Sequence, residues 1–228
     1  MTTICESLMN RVRNVIFDMD GTLVDTEVLY LDRLACMIRH MGDTLPEREL
    51  LRLAGKNLPQ KLTFLRERFG WKQSPEELEV IFRTLQEGWP QPDFSGRLFP
   101  GTLKTLNYLK AHRVGCYIAS NSALPHVRRV LGDCGILEHF DGIMTRDIAG
   151  ERKPDPKIYR LLLEQTPLDA SETLAVEDSD TGVEAAVRAG LPVVAIRDPR
   201  FDFVFSGAAV EISCIEQLTD YLEENHLV

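Results

Sequence analysis

The sequence predicts an α/β fold: a parallel sheet with helices on both faces, interrupted after its first strand by an all-helical insertion. Three observations predict it. Residues 14–18, Asn-Val-Ile-Phe-Asp, are a short apolar run ending in an acid, the pattern of a buried strand. From Thr26 to Gln91 apolar residues recur at helical spacing and no strand pattern appears. Beyond residue 101 short apolar runs alternate with amphipathic stretches, as in a sheet whose strands are joined by helical crossovers.

In the inserted segment, Tyr30, Leu34, Met37 and Met41 are spaced by four, three and four, one face of a helix. Pro46, Pro59 and Pro75 fall at plausible helix starts, where a missing N–H is tolerated. Three or four helices are expected. Trp89-Pro-Gln-Pro-Asp-Phe-Ser-Gly then reads as a linker. After it the sequence predicts helix 102–112, strand 114–119, helix 124–133, strand 141–145, helix 156–166, strand 173–177, helix 180–189, strand 193–197, a strand at 209–213 and a final helix at 215–225. Asp155 is the expected N-cap of the helix at 156–166, with Pro156 at its first position. Thr181 and Glu184 are spaced as a capping box, with Gly190 as the stop. Because the helical block lies between strands one and two, it is an insertion. It leaves from the strand end where such sheets bind ligands.

Composition narrows the function. The 228 residues carry 26 Lys+Arg against 35 Asp+Glu, a formal charge of −9, which disfavours an electrostatic grip on nucleic acid or anionic lipid. Arg128-Arg129, the adjacent basic pair that could start such a patch, reads as a solvated helix face. No stretch reaches a membrane span, and Met1 to Arg13 does not read as a secretory signal. Five scattered cysteines without a C-x-x-C argue against a disulfide framework or a zinc site and point to a reducing, cytoplasmic setting.

The chemistry lies at the strand ends. Asp18-Met-Asp20-Gly-Thr follows strand one, and two carboxylates two residues apart repel unless a cation joins them. Mg²⁺, which takes hard oxygen ligands and often a substrate phosphate, is the natural candidate. A solvated polar loop is the plain alternative; a calcium loop begins similarly, but its later ligands are missing. Ser120-Asn121-Ser122 follows strand two and offers phosphate donors, or simply a helix cap. Lys153, between strand three and a helix, can neutralise a phosphoryl group, or be a surface lysine in a proline loop. Glu177-Asp178 closes strand four as a metal anchor, or as charges at a helix N-terminus. Singly each plain reading stands. Together, acid-x-acid, hydroxyl/amide, lysine and acid pair in strand order predict one crevice at the C-terminal sheet edge.

These four segments, Asp18–Glu27, Ala119–Ser122, Lys153–Pro156 and Glu177–Gly182, resemble the four motifs of the haloacid dehalogenase superfamily, and most closely its phosphatase and beta-phosphoglucomutase group. The resemblance implies a Rossmann-like core over 1–25 and 95–228 and an α-helical cap over 26–94. It implies Asp18 as nucleophile, Asp20 as general acid and then base, and Ser120 and Lys153 on the phosphoryl group with Asn121 in support. It also implies Mg²⁺ on Asp18, the Asp20 carbonyl and Asp178, with Glu177 as a further anchor. The implied activity is hydrolysis of a small phosphorylated metabolite such as a sugar phosphate. Asp20 distinguishes the chain from the dehalogenases, which usually lack that acid. Tyr30 stands where the mutases typically carry a histidine, which weighs against the phosphomutase alternative. A receiver-like phosphate-binding module would carry its acid on strand three and need no insertion. In the insertion, Lys56, within Gly55-Lys56-Asn57, is the candidate contact for a second anionic group of the substrate, or a lysine following a helix-ending glycine. Trp71 and Trp89 are expected to pack rather than to bind.

Overall fold

The computed structural model describes residues 11–54 and 56–228, so Cys5 and Gly55 lie outside the described residues. The chain divides into two compact units, one formed by residues up to Asp25 together with Phe94–Val228, the other by Thr26–Asp93.

The first unit is built on six strands: β1 (Asn14–Phe17), β2 (Gly115–Ser120), β3 (Gly142–Thr145), β4 (Thr173–Glu177), β5 (Val193–Ile196) and β6 (Val210–Ile212). Every pairing is parallel and the order is β3-β2-β1-β4-β5-β6. Parallel sheets are covered on both faces, which is why β1, β4 and β5 read as near-continuous apolar runs. Ile16, Ala119, Ala175 and Val193 bury one face against Tyr159 and Leu162 and against Val183 and Ala186.

The second unit holds α1 (Glu27–His40), α2 (Glu47–Leu51), α3 (Leu58–Phe69) and α4 (Pro75–Glu87). Its buried stripe on α1 is Leu31, Leu34, Met37 and Ile38; Tyr30 and Met41 are half-buried at its margin. Asn57 and Ser74 start α3 and α4 with full capping boxes, closed by Gln60 and Glu77. The prolines sit as the sequence suggests, at or beside each of these three helix starts. Trp71 stacks on Phe69 and donates to Asp43 at 2.7 Å, and Trp89 packs edge-on to Phe82.

The remaining helices belong to the first unit: α5 (Thr102–Ala111), α6 (Leu124–Asp133), α7 (Arg146–Ala149), α8 (Lys157–Gln165), α9 (Asp180–Arg188) and α10 (Gln217–Glu224). The short α7 has no counterpart in the sequence expectation, because four residues with one buried side chain carry no periodic signal. Two capping expectations are corrected. Pro156 occupies the cap position of α8 itself, and Asp155, one residue earlier, still accepts from Lys157 N at 2.9 Å. The α9 cap is Ser179, whose hydroxyl accepts from Gly182 N at 3.1 Å, rather than a box between Thr181 and Glu184. Gly190 does follow α9 with a φ of +85°. Among the described residues no helix is long and apolar enough to cross a membrane.

The Ser74–Glu77 box closes two N–H groups that α4 would otherwise leave open. Ser74→Ala should lower unfolding stability by about 1 kcal/mol; a urea melt with an unchanged midpoint would remove the cap from the account of α4.

Candidate active site

The sheet register assembles the site. Phe17 pairs with Val176 and with Ile118, so the next residues, Asp18, Glu177 and Ala119, emerge side by side. This is where the strand order turns from β1 outward in both directions, the crevice position of doubly wound sheets.

Lys153 reaches the same point from the loop after α7. Its ammonium donates to Asp18 Oδ1 at 2.6 Å, Glu177 Oε1 at 2.5 Å and the Ala119 carbonyl at 2.7 Å, using all three of its protons. It is 5% exposed, so the surface-lysine reading is excluded. Its nitrogen also lies 5.3 Å from the centre of the Tyr159 ring, and the Tyr159 hydroxyl donates to Glu177 Oε1. Burial alone would lower the Lys153 pKa, but Asp18 and Glu177 raise it well above the ordinary lysine value.

Asp178 accepts from the Thr22 hydroxyl at 3.1 Å. Asp18, Glu177 and Asp178 are buried, with ligand-capable oxygens within 4.8 Å of one another. At an effective dielectric of about 20, two such charges repel by about 3–4 kcal/mol, and one lysine cannot offset three carboxylates. Burial, opposed by Lys153 and assisted by Glu177 and Asp20, accordingly pushes Asp18 up to about 7. Burial, then Asp18 and Glu177, hold Asp178 well above the carboxylate range. Glu177 Oε2 is buried without a hydrogen-bond partner among the described residues. An all-oxygen acid cluster with an unsatisfied buried oxygen fits a hard divalent cation; these are the residues that could hold one.

Asp20 stands apart from the cluster and is half-buried. Its Oδ2 accepts from the Ser122 hydroxyl at 2.7 Å and from the Ser120 hydroxyl at 3.4 Å. The serines do not cap α6: its cap position is Ala123, and the Leu124 N–H is taken by Asp147. Asn121 forms a reciprocal pair with the Lys153 backbone, accepting from its N–H at 2.8 Å and donating to its carbonyl at 3.4 Å. The β2 loop is thus tied to the lysine loop.

Two glycines make room for the acids. A Cβ on Gly21, which has a φ of +94°, would lie 2.1 Å from Asp178 Oδ2, and one on Gly182 would lie 1.9 Å from Glu177 Oε2. Sequence reasoning missed Tyr159, the aim of Ser122 at Asp20, and His126. His126 packs edge-on to Phe94; burial holds its pKa below the ordinary histidine value although Asp20 pulls it up. Arg129, on the same helix, stacks on Phe94 and pairs with Asp133, and Arg128 is exposed. Lys56 belongs to the helical unit, exposed between α2 and α3, with its N–H on the Leu53 carbonyl. The acid–lysine cluster is built from the other unit.

The model of the haloacid dehalogenase-like hydrolases matches residues 15–196. The chain belongs to this family. A phosphorylated carbohydrates phosphatase of Thermotoga maritima is 32% identical over 192 residues, 78% of this chain and 81% of that protein. A phosphoglycolate phosphatase of Rhodospirillum rubrum is 28% identical over 79% of this chain and 77% of its own length. Among solved structures, a Thermotoga maritima protein assigned as a beta-phosphoglucomutase is 28% identical, with a TM-score of 0.75 over 93% of this chain and 99% of that one. The parallel six-stranded core and the hydrolase class are those of the family.

In a helix, glycine to alanine ordinarily gains up to about 1 kcal/mol. Gly132→Ala in α6, with nothing within 4 Å of the added carbon, should show that gain. Gly182→Ala in α9 should instead lose about 1–3 kcal/mol, because the buried Glu177 carboxylate must move off Lys153. Thermal melts of the two variants test the inverted sign.

Proposed function

We propose that the chain is a Mg²⁺-dependent phosphoric monoester hydrolase acting on a small phosphorylated metabolite, such as a sugar phosphate, through an aspartyl-phosphate on Asp18. The observation that carries this reading is the buried Lys153 ammonium held 2.6 Å from an acid at the end of the central strand, with the hydroxyls of Ser120 and Ser122 on the second acid of the same turn, Asp20. A lysine so placed faces the charge that gathers on the equatorial oxygens of a phosphoryl group in flight. The relatives that act on phosphorylated carbohydrates and on phosphoglycolate support the substrate class.

In this mechanism Asp18 attacks phosphorus while Lys153 and the Ser120 hydroxyl hold the phosphoryl oxygens, with Asn121 fixing the lysine loop. Asp20 protonates the departing oxygen. It then takes a proton from the water that cleaves the aspartyl-phosphate, so one hard displacement becomes two. Mg²⁺, when bound by Asp18, Asp178 and the Asp20 carbonyl, with Glu177 adjoining, supplies charge neutralisation for the nucleophile and the phosphate. The structure assigned as a beta-phosphoglucomutase favours a mutase as the second reading; Tyr30, in place of that group's histidine, weighs against it. Lys56 remains the proposed selector of a second anionic group. Among the described residues Cys36, Cys116, Cys134 and Cys214 form no disulfide, which supports a reducing, cytoplasmic setting.

Asp18→Asn should retain the fold and lower kcat on p-nitrophenyl phosphate by at least ~10³-fold, on the order of 4 kcal/mol. A variant keeping a tenth of the turnover would exclude direct attack by Asp18.

Cation binding must displace the protons that burial keeps on the cluster. Since burial pushes Asp18 up to about 7 and holds Asp178 well above the carboxylate range, Mg²⁺ affinity should rise with pH below about 7, about tenfold per unit for each proton displaced. Calorimetric titrations in two buffers of different ionisation enthalpy count those protons. Affinity that stays flat between about pH 5.5 and 7 would separate the cation from Asp18.

A further inference from the structure

We propose that Ser122 is the positioning residue of the acid–base group, holding the Asp20 carboxylate toward the leaving oxygen. This rests on the reading of Asp20 given above and adds the group that aims it.

Asp20 is half-buried, and the three protons of the Lys153 ammonium go to Asp18, Glu177 and the Ala119 carbonyl rather than to it. A half-buried aspartate on a turn has several rotamers available, and only those aimed at the leaving oxygen transfer a proton. The Ser122 hydroxyl donates to Asp20 Oδ2 at 2.7 Å, the shorter of the two serine contacts; Ser120 stands at 3.4 Å. Ser120 is fully buried, and its oxygen also accepts from Ser122 N at 3.0 Å. The Ser122 backbone is therefore anchored on Ser120 while its side chain is spent on Asp20.

The segment around Ser122 is held from both sides. Asn121 is locked onto the Lys153 backbone by two hydrogen bonds. Leu124 N is held by Asp147, whose carboxylate is itself fixed by the Thr145 hydroxyl at 2.5 Å. Asp147 thereby serves the start of α6, whose cap residue Ala123 has no side-chain oxygen, while the Ser122 hydroxyl lies on Asp20. A donor fixed by its neighbours' bonds can aim a second group with little added ordering on binding, which is the requirement for a preorganised site.

A hydroxyl that only aims the acid has a signature that a structural serine or a phosphate ligand lacks. Its loss should matter in proportion to the need of the leaving group for a proton. The parameter to read is kcat/KM, which for this two-step mechanism ends with departure of the leaving group and excludes the later attack of water. The experiment compares p-nitrophenyl phosphate, whose leaving group departs readily as an anion, with phenyl phosphate, of similar shape and a more basic leaving group. Ser122→Ala is expected to lower kcat/KM about tenfold on phenyl phosphate and less than about threefold on p-nitrophenyl phosphate. Ser122→Thr, which keeps the hydroxyl, should restore the phenyl phosphate value. In an Asp20→Asn background, which should show the same imbalance in larger measure, Ser122→Ala should add nothing.

Equal losses on the two esters in Ser122→Ala, with the imbalance intact in Asp20→Asn, would overturn the proposal and assign the serine to the phosphoryl group or to the loop. A full additional loss in the Asp20→Asn background would overturn it as well. Equal losses in Asp20→Asn itself would overturn the acid role of Asp20 and this proposal with it, which distinguishes the two failures. If Ser122→Ala melts early, Ser122→Thr and Ser122→Cys carry the same comparison, with failure of threonine to outperform cysteine on phenyl phosphate counting against the proposal.

Discussion

The buried ammonium of Lys153 is the interaction on which the rest of the site depends. Its three protons go to three strand ends: the side chains after β1 and at the end of β4, and a carbonyl of β2. That charge opposes the mutual repulsion of Asp18, Glu177 and Asp178 in their shared buried volume. Loss of one partner from a buried pair of this kind commonly costs about 3–5 kcal/mol, because the other charge is stranded. The lysine is thus a stitch across the sheet as well as the charge that the proposed chemistry uses, and its neighbours are organised around keeping it there. Asn121 holds its backbone, Tyr159 lies beneath it, and the Tyr159 hydroxyl shares the same oxygen of Glu177.

Even so, the cluster remains anionic, and its geometry shows how that excess is contained. Glycine at 21 and 182 removes the side-chain carbons that would otherwise occupy the space of Asp178 and Glu177. The acids can therefore sit closer to the backbone than ordinary helix and turn residues allow. One oxygen of Glu177 is left buried and unbonded. An unsatisfied carboxylate oxygen in such a place costs about 1–3 kcal/mol or more unless something binds it. Burial also drives Asp18 and Asp178 toward their protonated forms. One divalent cation would relieve all three features together, so the protein's own electrostatics support the proposed metal site alongside family membership.

Much of this was legible in the sequence because strand ends announce themselves. An apolar run that stops at an acid, a serine or a Glu-Asp pair locates both the strand and what emerges from it, and parallel topology brings those ends together. β4 and α6 match the expected bounds residue for residue. What was illegible depended on partners distant in sequence. Tyr159 lies on the apolar stripe of α8, and its spacing marks it as core; nothing local says that its hydroxyl meets Glu177. Ser122 has the residue type of a helix cap, and only Asp147, from beyond β3, shows that the cap is already supplied. The caps of α8 and α9 missed by one or two residues because Asp, Ser, Thr and Pro cluster at both starts, and several of them satisfy the same local pattern. The stripe on α1 was out of phase for a related reason: Tyr30 and Leu31 are both apolar, and only packing decides which of them faces inward.

The two acids of the first motif show how one loop can supply opposite chemistries. Asp18 and Asp20 are two residues apart and identical in type, yet their surroundings diverge. Asp18 is buried, bonded to a lysine and pressed by two other carboxylates. In the proposed mechanism an added cation would secure there the anion needed for attack. Asp20 is half-buried and accepts from the hydroxyls of Ser122 and Ser120, the setting of the acid–base role proposed for it. Separation of two like groups by environment is a general route to acid and base chemistry at one site. Here it is achieved by the turn at Gly21, whose left-handed φ of +94° accompanies the departure of the chain from the line of β1. Asp18 stays at the level of the sheet edge with Glu177, and Asp20 meets the serines that follow β2. The division of labour is therefore a consequence of backbone geometry: a strand ends, a glycine turns the chain, and the same side chain two residues later meets hydroxyls in place of a lysine.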